Sequence, residues 1–417
     1  MNSEVAMSRP TNLHKNRPDR ASARDDARRR NQEAVFQTVH RDGPISRIDI
    51  ASRLQLSPAA VTNITAALIE RGVVYESRTA DATGVGRRAI LLEVDYDAAL
   101  VAGVKISNAG LTCALTNLNA EVLHTETHPV ASTEPDDVVR AVADAFASLS
   151  AAADRPIAAI GVNLPGAVDA DRRTVRTSPL LGWDRVPLGD MLTERLGVDV
   201  LVENDVNALA HAEAWFGHGR EHDDFLVVTL GRGVGLGIVL NGEVYRGPKG
   251  GAGEFGHLLI DPHGPSSRYA KRGTLETYLS DDAIVRDAQE HLPAFPENGT
   301  ARDVAQAADA GDPDALAVYE RAGRMLGRGL SFLVDLFAPS LIVLSGEGMR
   351  GGDALVRPAT DEMRHLAFGD LADHARVVVD DWGDDAWARG AAGLAASRFL
   401  LDTATQVGGD RSARAAP

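Results

Sequence analysis

Charge distribution, helical periodicity and an internal repeat together predict an α/β protein in two parts. The expected parts are an N-terminal winged helix-turn-helix and a body of two α/β lobes facing each other across a cleft. The 417 residues carry a net charge of −16, unevenly spread. Residues 1–90 hold 15 Lys/Arg against 10 Asp/Glu, a net of +5, and the remainder nets −21. A basic head on an acidic body suggests that the head meets a polyanion. The single cysteine, Cys113, excludes an intramolecular disulfide and any cysteine-rich metal site, and it fits a reducing cytoplasm. No apolar run approaches the ~18 residues of a membrane helix, and the N-terminus lacks the apolar segment of a signal peptide.

Residues 1–28 are polar, without periodicity, and read as a disordered basic arm carrying Arg20, Arg24 and Arg28. From Arg29 a helical pattern begins, with Val35, Phe36 and Val39 on one face. Ser46 caps a second helix, with Asp49 in the capping-box position and Ile50, Ala51 and Leu54 facing inward. Ser57-Pro58 is an N-cap followed by proline at the first helical position. The third helix should bury Val61, Ile64 and Leu68 and end at Gly72. Two strands, Val73–Ser77 and Ala89–Val94, then form a hairpin whose turn ends in Arg87-Arg88. Three helices and a hairpin over 29–95 make the winged helix-turn-helix. After its Ser57 cap, the third helix offers Ala59, Thr62, Asn63 and Ala66 to solvent, short enough to enter a major groove. Asn63 suits adenine and Ala59 a thymine methyl. Arg87 and Arg88 sit where a wing reaches phosphates or a minor groove. The expected partner is double-stranded operator DNA.

The body repeats itself. Residues 100–123 and 225–245 each read as strand, small-residue turn, strand, Asn-containing turn, strand, and helical stretches such as Asp136–Ala152 follow. Two such units suggest a first lobe over 96–205 and a second over 206–402. The two hairpin turns would point into the cleft, where their N–H groups suit an anion. A final helix, Asp385–Leu401, is expected to pack back on the first lobe, and 403–417 reads as a disordered tail.

Five further segments carry a resemblance: IGVNLPGAVDA (160–170), SPLLGWDRVPL (178–188), VENDVNALAHAEAWFGHG (202–219), GGAGEFGHLLIDPHGP (250–265) and RGTLETY (272–278). In this order they resemble the ROK family of sugar kinases and sugar-responsive repressors, and GRRAILLEV (86–94) is similar to the head–body junction of its repressors. The resemblance implies an actin-like ATPase (duplicated ribonuclease H-like) fold. It also places sugar hydroxyls against Gly166, Ser178, Asn204, Asp205, Glu254, His257 and Glu276. Carboxylates, an amide and an imidazole pair well with neighbouring hydroxyls.

The departures from the family bear on catalysis. Its kinases carry a magnesium-organising aspartate in the first hairpin turn, where GVKISNAG (103–110) has Lys105. The second phosphate loop is Gly231-Arg232-Gly233, and the adenosine-side glycines have become Ser345-Gly346-Glu347-Gly348. Phosphoryl transfer depends on positioned charge and metal, and a lysine cannot hold Mg²⁺. Ser267, Tyr269 and Thr274 fill the three cysteine positions of the family's zinc site, so no metal and no cofactor is expected. Two outcomes stand open for the new cations. Lys105 and Arg232 hold the phosphate of a sugar phosphate, or Lys105 neutralises Asp205 or Glu203 and Arg232 points to solvent.

The sequence thus predicts a cytoplasmic, non-enzymatic, sugar-responsive repressor that binds operator DNA as a homodimer or homotetramer, with a sugar or sugar phosphate as inducer. One alternative is an active ATP-dependent sugar kinase with a DNA-binding head. The other is a regulator whose body serves only for dimerisation.

Overall fold

In the computed structural model, which describes residues 20–79, 89–267, 270–293, 295–380 and 382–406, helix α1 runs over Arg20–Asp42. It starts nine residues before the sequence pattern suggests, so 20–28 is helix and not part of an arm. Ala21, Ala23 and Ala27 are strong helix formers, and Asp25 and Asp26 each precede an arginine by four residues. That turn lacks an apolar stripe, which is the signal periodicity detects. Residues 1–19 lie outside the described part.

The head follows as β1 (Ile45–Ser46), α2 (Arg47–Leu54), α3 (Pro58–Glu70), β2 (Val74–Thr79) and β3 (Ile90–Val94), its sheet ordered β1-β3-β2. Ser46 accepts from the Asp49 N–H, and Ser57 from the Ala60 N–H, as the capping patterns predict. Val35, Phe36, Ile50, Val61 and Leu68 are buried, while Ile64 is half-buried and Thr65 takes the inner position beside it. Thr65 donates to the Val61 carbonyl, which lets a hydroxyl sit in this core. Arg47 ties the elements together, donating to Thr65 Oγ1 (2.9 Å) and Glu76 Oε1 (2.8 Å). Arg87 and Arg88 lie outside the described residues. This head, with residues 401–406, forms one compact unit, and 95–400 forms the other.

The body's first repeat is β4 (Leu100–Ser107), β5 (Gly110–Asn117) and β6 (Val122–His128), followed by α4 (Pro135–Ala152) and β7 (Ile157–Leu164). A small sheet of β8 (Ala167–Val168), β9 (Val175–Ser178) and β10 (Trp183–Val186) precedes α5 (Leu188–Leu196) and β11 (Val200–Asn204). The first large sheet has the order β11-β7-β4-β5-β6, with β4, β7 and β11 parallel. Helix α6 (Asp205–Phe216) leads to the second repeat, β12 (Phe225–Leu230), β13 (Val234–Leu240) and β14 (Glu243–Val244). Then come α7 (Glu276–Leu279), α8 (Asp281–His291), α9 (Ala301–Asp309) and α10 (Pro313–Phe337). The chain continues through β15 (Leu341–Ser345), α11 (Gly352–Leu366), α12 (Leu371–His374), β16 (Arg376–Val379) and α13 (Ala386–Thr405). The second large sheet is ordered β14-β13-β12-β15-β16, so each repeat contributes a hairpin to its own sheet.

Strands buried on both faces read as continuous apolar runs, and β12, FLVVTL, is buried at every residue. Helix α4 covers the first sheet with Val138, Val142, Ala145 and Leu149. Helix α13 is apolar or small nearly all round, which requires burial on all sides. A Cβ at Gly103 of β4 would overlap the Ala388 carbonyl, and one at Gly161 of β7 would overlap that of Ala391. Glycine at these two positions lets α13 lie directly on the first sheet. The helix also runs four residues beyond the expected end at Leu401, into the segment read as a disordered tail. Thr403, Ala404 and Thr405 are buried, and burial overrides their polar composition.

Candidate functional site

The β11–α6 junction carries two of the expected sugar contacts. Asn204 is the N-cap of α6, its Oδ1 accepting from the Asn207 N–H (3.0 Å) while Nδ2 donates to the Gly166 carbonyl (3.0 Å). Gly166 has φ of +144°, and a side chain there would collide with the Thr177 carbonyl, so only glycine turns the chain this way. Ser178 is fully buried and donates to the Pro165 carbonyl (2.5 Å). Its hydroxyl proton is used within the protein, which makes Ser178 a prop behind Gly166 and corrects the expectation that it faces a ligand. Glu203 supports the same junction from below. It accepts from the Asn204 N–H (2.9 Å) and lies 3.2 Å from both Arg172 and Arg246, with almost no exposure.

Glu276 heads α7 and accepts from the Val234 N–H through Oε2 (3.1 Å). Burial raises its pKa, partly opposed by that N–H and by His257, while Glu254 and Asp282 add to the rise. Its carboxylate is flanked by Gly233 and Gly256, where a Cβ would approach to 3.0 and 3.3 Å. Glu254 and His257 are open to solvent, with His257 Nε2 3.7 Å from Glu254 Oε2. The structure thus gathers Glu254, His257 and Glu276 into one electrostatic group, and Gly166, Asn204 and Asp205 into another.

Asp205, the first residue of α6, accepts from the Val206 N–H (3.0 Å) and is ion-paired through Oδ2 with Lys105. Both side chains are more than four-fifths buried. Of the two outcomes open for Lys105, neutralisation of Asp205 is the arrangement found, and Glu203 is matched by arginines instead. Arg232 is exposed but does not simply point to solvent. It donates to Asn108 Oδ1 and so links the two hairpin turns.

Three further residues stand beside the cleft. Trp387 at the start of α13 donates its indole N–H to Glu347 Oε2 (3.1 Å), and Lys105 Nζ stands 4.6 Å from its ring centroid. Glu347 lies against Gly231, where a Cβ would come within 2.5 Å of its carboxyl carbon. Asp281 donates its N–H to the Gly231 carbonyl (2.7 Å), and burial, with Glu347 nearby, pushes its carboxyl up to about 6. Asp281, Glu347, Arg350 and Tyr319 line a cavity of about 10 Å³, room for one water. Glu347 was visible in sequence as a replaced glycine; Trp387 and Asp281 had no motif to announce them.

In the head, Ala59, Thr62, Asn63 and Ala66 are all exposed on α3, and Thr62 Oγ1 folds back to the Pro58 carbonyl (2.8 Å). Ser57 is exposed and committed to its cap. The helix face predicted to meet bases is therefore free of bulky side chains.

A ROK family model matches residues 101–398, and a MarR family model matches 30–81. The chain belongs to the ROK family. The transcriptional dual regulator NagC of Escherichia coli K12 is 34% identical over 342 residues, 79% of this chain and 83% of its own length. Among solved structures, a ROK family transcriptional regulator described as a homologue of the E. coli MLC protein aligns with a TM-score of 0.78 at 29% identity. It covers 91% of this chain and 98% of that one. A ROK glucokinase from Streptomyces griseus, solved with glucose and AMPPNP, aligns with a TM-score of 0.64 at 32% identity, covering 72% and 99%. The likeness to the regulator thus takes in the winged helix, whereas that to the glucokinase is about the length of the body alone.

The zinc loop implied by ROK membership does not fit zinc in this chain. Ser267 Oγ accepts from the Ala270 N–H (2.9 Å), and Thr274 is buried and donates to the Lys271 carbonyl (2.9 Å). Neutral hydroxyls already engaged by backbone do not replace thiolates. Backbone bonds between 260–261 and Gly273, and Tyr278 donating to Asp261 (2.8 Å), hold the loop that carries His257. Leu275 is fully buried, while Tyr269 lies outside the described residues. No helix of the described residues is long and apolar enough to cross a membrane.

Proposed function

We propose that this ROK protein is a sugar-responsive DNA-binding transcriptional regulator, a repressor of carbohydrate-metabolism genes, whose cleft binds a sugar without phosphorylating it. The observation that carries the reading is the Lys105–Asp205 pair. Asp205, expected against a sugar hydroxyl, is matched by a cation at the position where the family's kinases carry a metal-organising acid. Across the cleft, Glu347 and Asp281 put negative charge beside Gly231, which opposes a nucleotide's phosphates. The sugar is held by Gly166, Asn204, Asp205, Glu254, His257 and Glu276. In the head, α3 enters the major groove with Asn63 and Ala59 at base edges, and Arg87 and Arg88 of the wing contact phosphates.

The protein acts in the cytoplasm as a homodimer, since a helix-turn-helix reads paired half-sites. A patch on the body suits that role. Phe332, Leu336 and Phe337 of α10 lie with Leu366 and Phe368, where Leu336 is 74% and Phe368 77% exposed. Asp335 accepts from the Phe368 N–H (2.8 Å), which brings the two segments together. Sugar binding favours one lobe arrangement and thereby changes the alignment of the two heads on DNA.

Fluorescence anisotropy on a duplex selected in vitro by the protein, with a sugar panel, tests the reading together with a coupled ADP-release assay. One sugar should weaken DNA binding, and no sugar should support turnover. Release of ADP at ~1 s⁻¹, the low end of kinase rates, would overturn the non-catalytic assignment.

A further inference from the structure

Trp387 joins three parts of the cleft. Its carbonyl accepts from Asn163 Nδ2 (2.6 Å) of β7, its indole N–H donates to Glu347 on the second lobe, and its ring lies under the Lys105 ammonium. Lys105 is therefore shared between the Asp205 carboxylate and an aromatic face, in a largely desolvated position where cation–π attraction is strong. Lys105 and Asn163 are register partners on the parallel strands β4 and β7, so their side chains leave the sheet on the same face. Asn163 is fully buried, and its Oδ1 has no hydrogen-bond partner among the described residues. An orphaned acceptor beside a lysine that already has one carboxylate gives the ammonium a second place to go.

We propose that Lys105 is the ligand-sensing residue of the cleft and Trp387 its positioning partner. A sugar hydroxyl donating to Asp205 Oδ2 displaces the ammonium, which turns to Asn163 Oδ1, and both the Trp387 ring and the Asn163–Trp387 bond respond. This rests on the reading of the cleft as a sugar site. The response falls on the first turn of α13, a helix that Gly103, Gly161 and Gly390 let pack closely against neighbouring backbone. The last turn of α13, from Leu401, belongs to the compact unit of the winged helix, where Arg71 donates to the Ala404 (2.6 Å) and Gln406 carbonyls. Occupancy at Asp205 is thus read at one end of α13, and its other end bonds Arg71, which follows α3.

The test uses the full chain labelled with 5-fluorotryptophan, titrated with D-glucose, N-acetyl-D-glucosamine and N-acetyl-D-glucosamine 6-phosphate. Calorimetry reports binding, and ¹⁹F NMR reports Trp183, Trp215, Trp382 and Trp387 separately. A probe that binds should shift the Trp387 resonance, assigned with Trp387→Phe or, if that variant does not fold, by elimination with the other three Trp→Phe variants. When it folds, Trp387→Phe should bind the same probe, while the effect of that probe on DNA affinity drops from about tenfold to under about twofold. Binding with an unmoved Trp387 resonance, or full coupling retained in Trp387→Phe, overturns this inference alone. Calorimetric silence from every probe defeats the sugar reading, and this inference with it.

Discussion

On one side of the cleft, Asn204, Gly166 and Glu276 are held by backbone hydrogen bonds and keep polar capacity for a ligand. Elsewhere in it, Lys105, Trp387, Glu347 and Asp281, drawn from both lobes, satisfy or oppose one another. Both groups belong to one fold, and the difference between them lies in a handful of side chains. A site for transferred phosphate depends on positioned charge and metal, and here a lysine is paired with the cleft carboxylate.

The largest effect expected from breaking this contrast lies at Asp205. Asp205→Ala leaves the Lys105 ammonium mostly buried and unpaired, and should cost about 3 kcal/mol in urea denaturation. The double variant Lys105→Met with Asp205→Asn should recover most of that loss. If the single variant costs under ~1 kcal/mol, the pair behaves as a solvent-screened one and the two sides differ less than their geometry suggests.

A second, smaller effect concerns the acid beside Gly231. The Asp281 carboxyl is raised from 3.8 unfolded to about 6 folded, so the native state holds its proton more tightly. Its contribution to stability is present below the unfolded value and is lost as pH rises through about 6. Asp281→Asn should flatten that slope and be more stable than the parent at pH 7.5 by ~2 kcal/mol, measured by denaturation at a series of pH values. An unchanged pH profile would show that Asp281 is relieved by Arg350 and does not burden the nucleotide side.

The smallest effect belongs to the sugar side. Glu276→Gln keeps an oxygen for the Val234 N–H and should fold normally, yet lose roughly 1.5 kcal/mol of sugar affinity, about tenfold by calorimetry. Equal affinity would assign Glu276 to loop support.

Much of this is legible in the sequence. Caps at Ser46 and Ser57 are local chemistry, read within three residues, and they stand where the sequence put them. The duplicated hairpins were visible because strands buried on both faces leave continuous apolar runs. Helix α1 starts nine residues before its periodicity predicts because its first turns are made of helix formers without an apolar face, and periodicity detects only the face. The extension of α13 escapes the sequence for the opposite reason. Thr403 and Thr405 look like tail residues until burial is known.

The sequence by itself determined the family, the two-part organisation, the winged-helix face and the replacement of an acid by Lys105, because each is carried by residue identity at short range. Only the tertiary structure decided what Lys105 does. Its partners are 100 residues away at Asp205 and far down the chain at Trp387, and which carboxylate a lysine finds depends on which strands become neighbours. It likewise turned Ser178 from a ligand contact into a prop, since a hydroxyl's role is set by the acceptor folded against it, here the Pro165 carbonyl.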